Sequence, residues 1–388
     1  MAEAEIGVAA PGNTAHITAT SGHPVIADNE GGSPLEARAQ VVAAATLPYP
    51  PSWVDQLTDR VRRLPVPAWA FYLVVSLVLT GVVVSVAWAD GFLDAENYLL
   101  LRILSATTGI YVLALLHYLD NSAADALKRF RPVMTVGDAE YARLAYQFTT
   151  MPRRPTLVAS GIGMLYAIIS LATFGATDPG ILGGPLSPTR AVVVISTFLV
   201  SYTLVGVSVY HTIHQLRMVN TIYTHHTRIN LFQAGPMYSL SRLAARTAIG
   251  VLIPTYLWSQ VGTDAAAAGA GVGIFETAFY GVMIALTFIW PLLGAHVRLQ
   301  KEKERLKDEV ARRVEATIAE LHRRVDSGDM QDRDALKDTL DGLVAEQGVI
   351  DKLRTWPWQT QTISGVGAAF LLPLFIWFVQ RLLERMGV

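Results

Sequence analysis

Four histidines carry the first chemical signal: His117, His211, His214 and His296. Neutral imidazoles converging from different helices can hold zinc or haem iron. His211 and His214 stand three residues apart, so on a helix they share a face. His225 and His226 follow farther along the same stretch. The ordinary alternative is that each ring lies at a membrane interface in headgroup water and needs no partner. Two charges form a second group, because Arg102 and Glu276 fall inside otherwise apolar stretches, where an ion pair or a polar vestibule is one reading and independent snorkelling the other. A third group lies in the stretch from 225 to 250, where Arg228, Arg242 and Arg246 can contact lipid phosphate or a protein partner. Plain positive-inside anchoring also accounts for these arginines.

The chain has no cysteine, which excludes disulfides, thiolate metal sites and cysteine nucleophiles. P-loop, GxSxG, kinase and nucleic-acid signatures are absent too, so the sequence leans away from an enzyme and offers no nucleic-acid surface. Zinc or haem remains the one cofactor chemistry that the histidines raise.

These residues must be positioned by elements made for lipid. Hydrophobic residues make up 52% of the chain and charged ones 16%, against about 25% charged in soluble domains. Apolar stretches at 69–88, 98–119, 156–176, 191–210, 243–261, 274–296 and 363–383 are each close to the ~20 residues that cross ~30 Å of hydrocarbon. The fold class expected is an all-α integral membrane protein with about seven transmembrane helices and a cytoplasmic antiparallel helical hairpin. Interior prolines Pro254, Pro291 and Pro373 predict kinks in the last three spans. Ala159 with Gly163, and Gly365 with Ala369, predict close helix packing, within the chain or between protomers.

Loop charges set an orientation. Arg60, Arg62 and Arg63 precede the first span, and 90–97 has no Lys or Arg. The next loop carries Lys128, Arg129, Arg131, Arg143, Arg153 and Arg154, and the one after only Arg190. Basic and non-basic loops continue to alternate through Arg217 and Arg228, then 262–273, then the segment beyond 299. That places the N-terminus and the hairpin in the cytoplasm and the C-terminus outside. Lysine occurs at six positions and arginine supplies the other positive charges, a bias that fits a bacterial inner membrane.

Span count, orientation and histidine depth are similar to those of the seven-span hydrolases related to progestin/adipoQ receptors and alkaline ceramidases. That resemblance implies a histidine-bound zinc near the cytoplasmic side. The chain departs from the pattern in lacking an HxxxH pair, since His211 and His214 are one residue too close. A retinal protein is excluded, because 363–383 contains no lysine.

The domain plan that follows has five parts. Residues 1–50 form a disordered tail rich in Ala, Gly, Pro, Ser and Thr. Residues 51–66 form an interfacial amphipathic helix, with Trp53, Val54, Leu57, Val61 and Leu64 on one face and Asp55, Asp59 and the arginines on the other. A six-helix transmembrane region occupies 67–299, the hairpin 300–355, and the seventh span with the C-terminus 356–388. In the hairpin Leu306, Val310, Val314, Ile318, Leu321 and Val325 recur at helical spacing, answered by Leu336, Leu340, Leu343, Ile350 and Leu353. Those stripes pair with each other, or bind a protein partner or a second copy. The sequence-level expectation is therefore a sensor, scaffold or assembly protein acting through residues 300–355. The alternatives are a transporter or channel at Arg102 and Glu276, and a histidine–metal membrane enzyme.

Overall fold

A computed structural model of the chain describes residues 47–89, 91, 96–174, 187–228, 231–233, 235–265, 272–328, 333–358, 364–368, 371, 375 and 379. The tail 1–46 and most of the expected seventh span lie outside the described residues, as does the side chain of Glu276.

The described chain is helical and contains no strand. Among the described residues the named α-helices are, in order, α1 Trp53–Arg62, α2 Ala68–Ala89, α3 Glu96–Phe130, α4 Asp138–Thr149, α5 Arg153–Phe174, α6 Pro188–His225, α7 Tyr238–Ala265, α8 Val272–Ser327 and α9 Arg333–Lys352. Among the described residues, four helical segments are long and apolar enough to cross a membrane: Ala68–Ala89, Arg102–Val133, Arg153–Thr173 and Pro188–His225.

Local chemistry explains the sharper boundaries. The α6 start is Ser187-Pro188, where the serine hydroxyl accepts from the Arg190 N–H and proline occupies the first helical position. Helix α7 continues through Pro254. Helices α3 and α6 outrun their apolar stretches by more than two turns, because their tails stay amphipathic. Ala123, Leu127 and Phe130 on α3 and Val219, Ile222 and Tyr223 on α6 are all buried.

Helix α3 is central, touching α2, α4, α6 and α7. Two cores result. One gathers Leu119, Phe130, Ile222, Tyr223, Leu240 and Leu292 from α3, α6, α7 and α8. The other gathers Val54, Val61, Tyr72, Leu116, Leu204 and Val207 from α1, α2, α3 and α6. Side chains also bond to neighbouring helix backbones: Tyr111 donates to Gly250 O at 2.7 Å and Ser201 to Ser105 O at 2.8 Å. In hydrocarbon, such bonds and small-residue contacts replace the water-driven burial that holds soluble bundles.

On the outer faces of α2 and α5 the surface is apolar. Val158, Ile162 and Leu165 on α5 are 62%, 64% and 56% exposed, and Leu77 and Val78 on α2 are similar. A continuous surface of that kind is costly in water and ordinary against lipid.

Helix α8 joins what the sequence divides into a sixth span and the first arm helix. It runs for 56 residues, about 84 Å at 1.5 Å per residue, without a break. Its base is fixed to the bundle by buried Leu292, Ala295 and Leu299, and by Arg298, which donates to Tyr223 O at 2.7 Å. Helix α9 packs on the charged half of α8. Lys307 pairs with Asp351 at 2.5 Å, and Lys303 donates to the carbonyls of Asp351 and Leu353 at the α9 C-terminus. A cation there satisfies carbonyls the helix leaves open.

Candidate functional site: a polar layer beneath α1

The chain entering α1 is strapped across the α4–α5 junction. Tyr49 donates its hydroxyl proton to Thr150 O at 2.8 Å, and Tyr146 donates to Tyr49 O at 2.8 Å. Ser52 and Asp55 form a capping box that starts α1. Asp55 does more than cap. Its Oδ2 accepts from the Ser52 N–H and, across the junction, from the Met151 N–H, each at 3.0 Å. The sequence pattern set Asp55 on the polar face, yet it is 6% exposed, because this second donor lies on the bundle. Val54 and Val61 are buried beside it.

Burial pushes the Asp55 carboxyl up to about 6; the Ser52 hydrogen bond pulls it down, and the Asp120 charge adds to the rise. The sign follows from linkage. A folded-state pKa above the unfolded value of 3.8 means that docked α1 holds the proton more tightly than free α1. The resulting stabilisation is complete below about pH 4 and is lost as pH rises through about 6, with an upper bound of roughly 3 kcal/mol. Hydrogen-exchange protection of α1, corrected for intrinsic rate, should therefore be higher at pH 5 than at pH 7.5. Asp55→Asn should flatten that difference; equal protection of the native protein at both pH values would refute the effect.

Each histidine beneath this strap has its own partner. His117, 2% exposed, accepts at Nε2 from the Arg62 Nε–H at 3.2 Å, and its Nδ1 lies 3.0 Å from the Tyr72 hydroxyl. Arginine can only donate, so Nε2 carries no proton and Nδ1–H donates to Tyr72. His211 donates from Nε2 to Asp120 Oδ1 at 2.8 Å, with both side chains almost fully enclosed. Its Nδ1 has no partner among the described residues, nor has Nε2 of Gln215 one turn farther along α6. His214 donates from Nε2 to Gln147 O at 2.8 Å and stacks on Tyr210.

His296 belongs elsewhere. It donates from Nδ1 to Thr355 O at 3.1 Å and stacks on Trp356 at 3.8 Å, with Trp358 next in the stack at 4.2 Å. The structure thus brings His117 and His211 to one level through Asp120, with His214 at its edge and His296 at the arm base. Among the described residues, no three His, Asp or Glu side chains form a group that could hold a metal ion.

The other singled-out charges separate in the same way. Arg102 is buried, and Arg190, which the sequence placed at a loop edge, is buried with it; both line one small cavity with Ser105 and Thr197 between α2, α3 and α6. Arg246 is exposed with its guanidinium 5.9 Å from the Tyr118 ring, Arg242 is half-buried, and Arg228 is exposed with its N–H bonded to Val133 O. Asp55, Asp120 and Gln215 were not legible as site residues. The available hint was Asp120 standing three residues after His117, on the same helical face.

Chemically, the layer is a set of hydrogen-bonded carboxylates and imidazoles enclosed where α1, α2, α3, α6 and the α4–α5 junction meet. Within it, Asp55 is the group whose raised pKa couples its proton to the docking of α1. No family model matches the chain, and neither curated proteins nor solved structures give a significant match.

Proposed function

We propose that the chain is a seven-span membrane protein of sensor, scaffold or assembly type, acting through a cytoplasmic arm made of the charged half of α8 and α9. The arm is an antiparallel hairpin, turning at Gly328, whose positive φ of 71° suits a glycine. The alternation of basic and non-basic loops places the polar layer and the arm on the cytoplasmic side, with the N-terminus inside and the C-terminus outside.

The observation that carries this reading is the continuity of α8. One helix is packed into the bundle at Leu292 and Leu299 and leaves it as the arm, so a tilt at one end is transmitted to the other. The polar layer gives the bundle a group of protonatable side chains with which to bias such a tilt. Beyond its base, the arm is built for contact: α8 and α9 carry dense charge around apolar positions that neither helix covers.

The test is a shortened arm in which 312–346 is replaced by a short Gly/Ser turn, leaving the Lys303, Lys307 and Asp351 contacts in place. Membrane insertion and bundle melting should be unchanged, and the assemblies isolated with the full chain under mild detergent should be lost. Assemblies of unchanged mass would overturn the reading.

A further inference from the structure

We propose that α1 is a lid over the polar layer: it leaves the bundle as one unit, tethered through 63–67, and its departure admits water to His117. No arm residue takes part, so the proposal stands apart from the role given to the arm.

His117 is 2% exposed, and two kinds of neighbour enclose it. Its Nδ1 meets the Tyr72 hydroxyl of α2, inside the bundle, at 3.0 Å. Its Nε2 meets Arg62 of α1 at 3.2 Å. The Arg62 side chain is 40% exposed and pairs with the half-exposed Asp59 at 2.9 Å. One side chain of α1 thus separates a buried ring nitrogen from bulk water. The neighbouring groups in the layer are held differently. Asp120 and His211 bond to each other from α3 and α6, both long and apolar enough to span a membrane. Departure of α1 breaks the Arg62 contact and leaves that pair bonded.

The attachment of α1 suits release. Of its ten residues only Val54, Asp55, Thr58 and Val61 are buried, so two valines supply its enclosed apolar surface. Helix α3, by contrast, encloses Leu116, Leu119, Leu127 and Phe130 among others. Elements with few buried apolar contacts open well below the free energy of global unfolding. Toward α2, residues 63–67 are all exposed and include Pro65 and Pro67, which keep α1 from running on into the next helix. Toward the strap the hold is a polar clasp. Ser52 N–H donates to Met151 O at 3.0 Å and Arg153 N–H to Pro50 O at 3.3 Å, on either side of the paired residues Pro51 and Pro152. The Asp55 bond to the Met151 N–H belongs to the same clasp, and burial disfavours the ionised form of that carboxyl. Once free, the apolar face of Trp53, Val54, Leu57 and Val61 has a second resting place at the bilayer surface, with Arg60, Arg62 and Arg63 toward the headgroups.

The clasp offers its own lock. Pro51 and Pro152 form a non-hydrogen-bonded antiparallel pair, with Cα atoms about 4.5 Å apart and within reach of a disulfide. The chain has no native cysteine, so Pro51→Cys with Pro152→Cys forms one defined bond. Diethyl pyrocarbonate modifies accessible neutral imidazoles, and mass spectrometry maps the sites in the full-length protein in membranes at pH 7.5. His117 should be modified in the native protein and in the reduced double-cysteine variant. Oxidation should abolish that labelling, and dithiothreitol should restore it. His225, exposed at the end of α6, should react equally throughout, and His211 should stay unmodified. Asp55→Ala, which removes the acceptor of the clasp, should speed His117 labelling, and the oxidised lock should suppress it again. An unreactive His117 in the native protein, equal labelling of locked and reduced forms, or an Asp55→Ala variant labelled no faster would overturn the proposal. So would His211 reacting in step with His117, because the bundle and not the lid would then be opening.

Discussion

Gly163→Val is expected to separate α5 from α6, while Gly161→Val on the same helix leaves the fold intact. At Gly163 an added Cβ would lie within 2.3 Å of Tyr202 O and 3.1 Å of the Thr203 Cα. Both are backbone atoms of α6, so no side-chain rotation relieves the clash and the helices must move apart. The reciprocal position is as tight, with a Cβ on Gly206 meeting Ala159 O at 2.5 Å and the Gly163 Cα at 3.0 Å. Moving the helices apart forfeits the dispersion contacts that bind them in lipid, where hydrophobic association contributes nothing. Overpacking of this kind costs about 3 kcal/mol. Gly161 has nothing within 4 Å, so valine there should change stability by no more than about 0.5 kcal/mol. Thermal unfolding in detergent followed by circular dichroism separates the two variants. Equal melting temperatures would show that the close approach carries little energy.

The sequence exposed half of that contact. Ala159 and Gly163 are one helical turn apart, a spacing that reads directly as a flat helix face. Their partner Gly206 lies in another helix, where a lone glycine among valines gives no periodic signal. The helix ends were hidden for a related reason. Beyond its apolar stretch α3 buries Ala123, Leu127 and Phe130 on one face while Asn121, Asp125 and Lys128 occupy the other, which dilutes mean hydropathy without ending the helix. The joining of the sixth span to the arm follows from the residues between them, His296-Val-Arg-Leu-Gln-Lys, which include no glycine, proline or turn former. The histidines show the limit most clearly. Composition and depth group His117, His211, His214 and His296, whereas the structure gives each a different partner. Their partners lie far away in the chain, Tyr72 by 45 residues and Asp120 by 91, and pairing at that range leaves no local pattern.

Asp120→Ala should be the most damaging single change in the polar layer. It removes the acceptor for His211 Nε2–H at a site where both side chains are under 5% exposed. A buried donor left without a partner costs roughly 1–3 kcal/mol, and the truncated side chain leaves a void besides. Asp120→Asn keeps an oxygen in place and should cost about 1 kcal/mol. His211→Ala produces the converse fault, a buried carboxylate without its donor, and should match Asp120→Ala in direction and size. Since both single changes break one bond, the double variant should be far less unstable than their sum, with a coupling of about 1–3 kcal/mol. Additive losses would mean that the pair does not act as a unit. A second readout ties the pair to the strap. The Asp120 charge contributes to the raised Asp55 pKa, so Asp120→Asn should shift the pH-dependent loosening of α1 to lower pH. A change that only weakened the fold would lower α1 protection at every pH and leave that midpoint where it was.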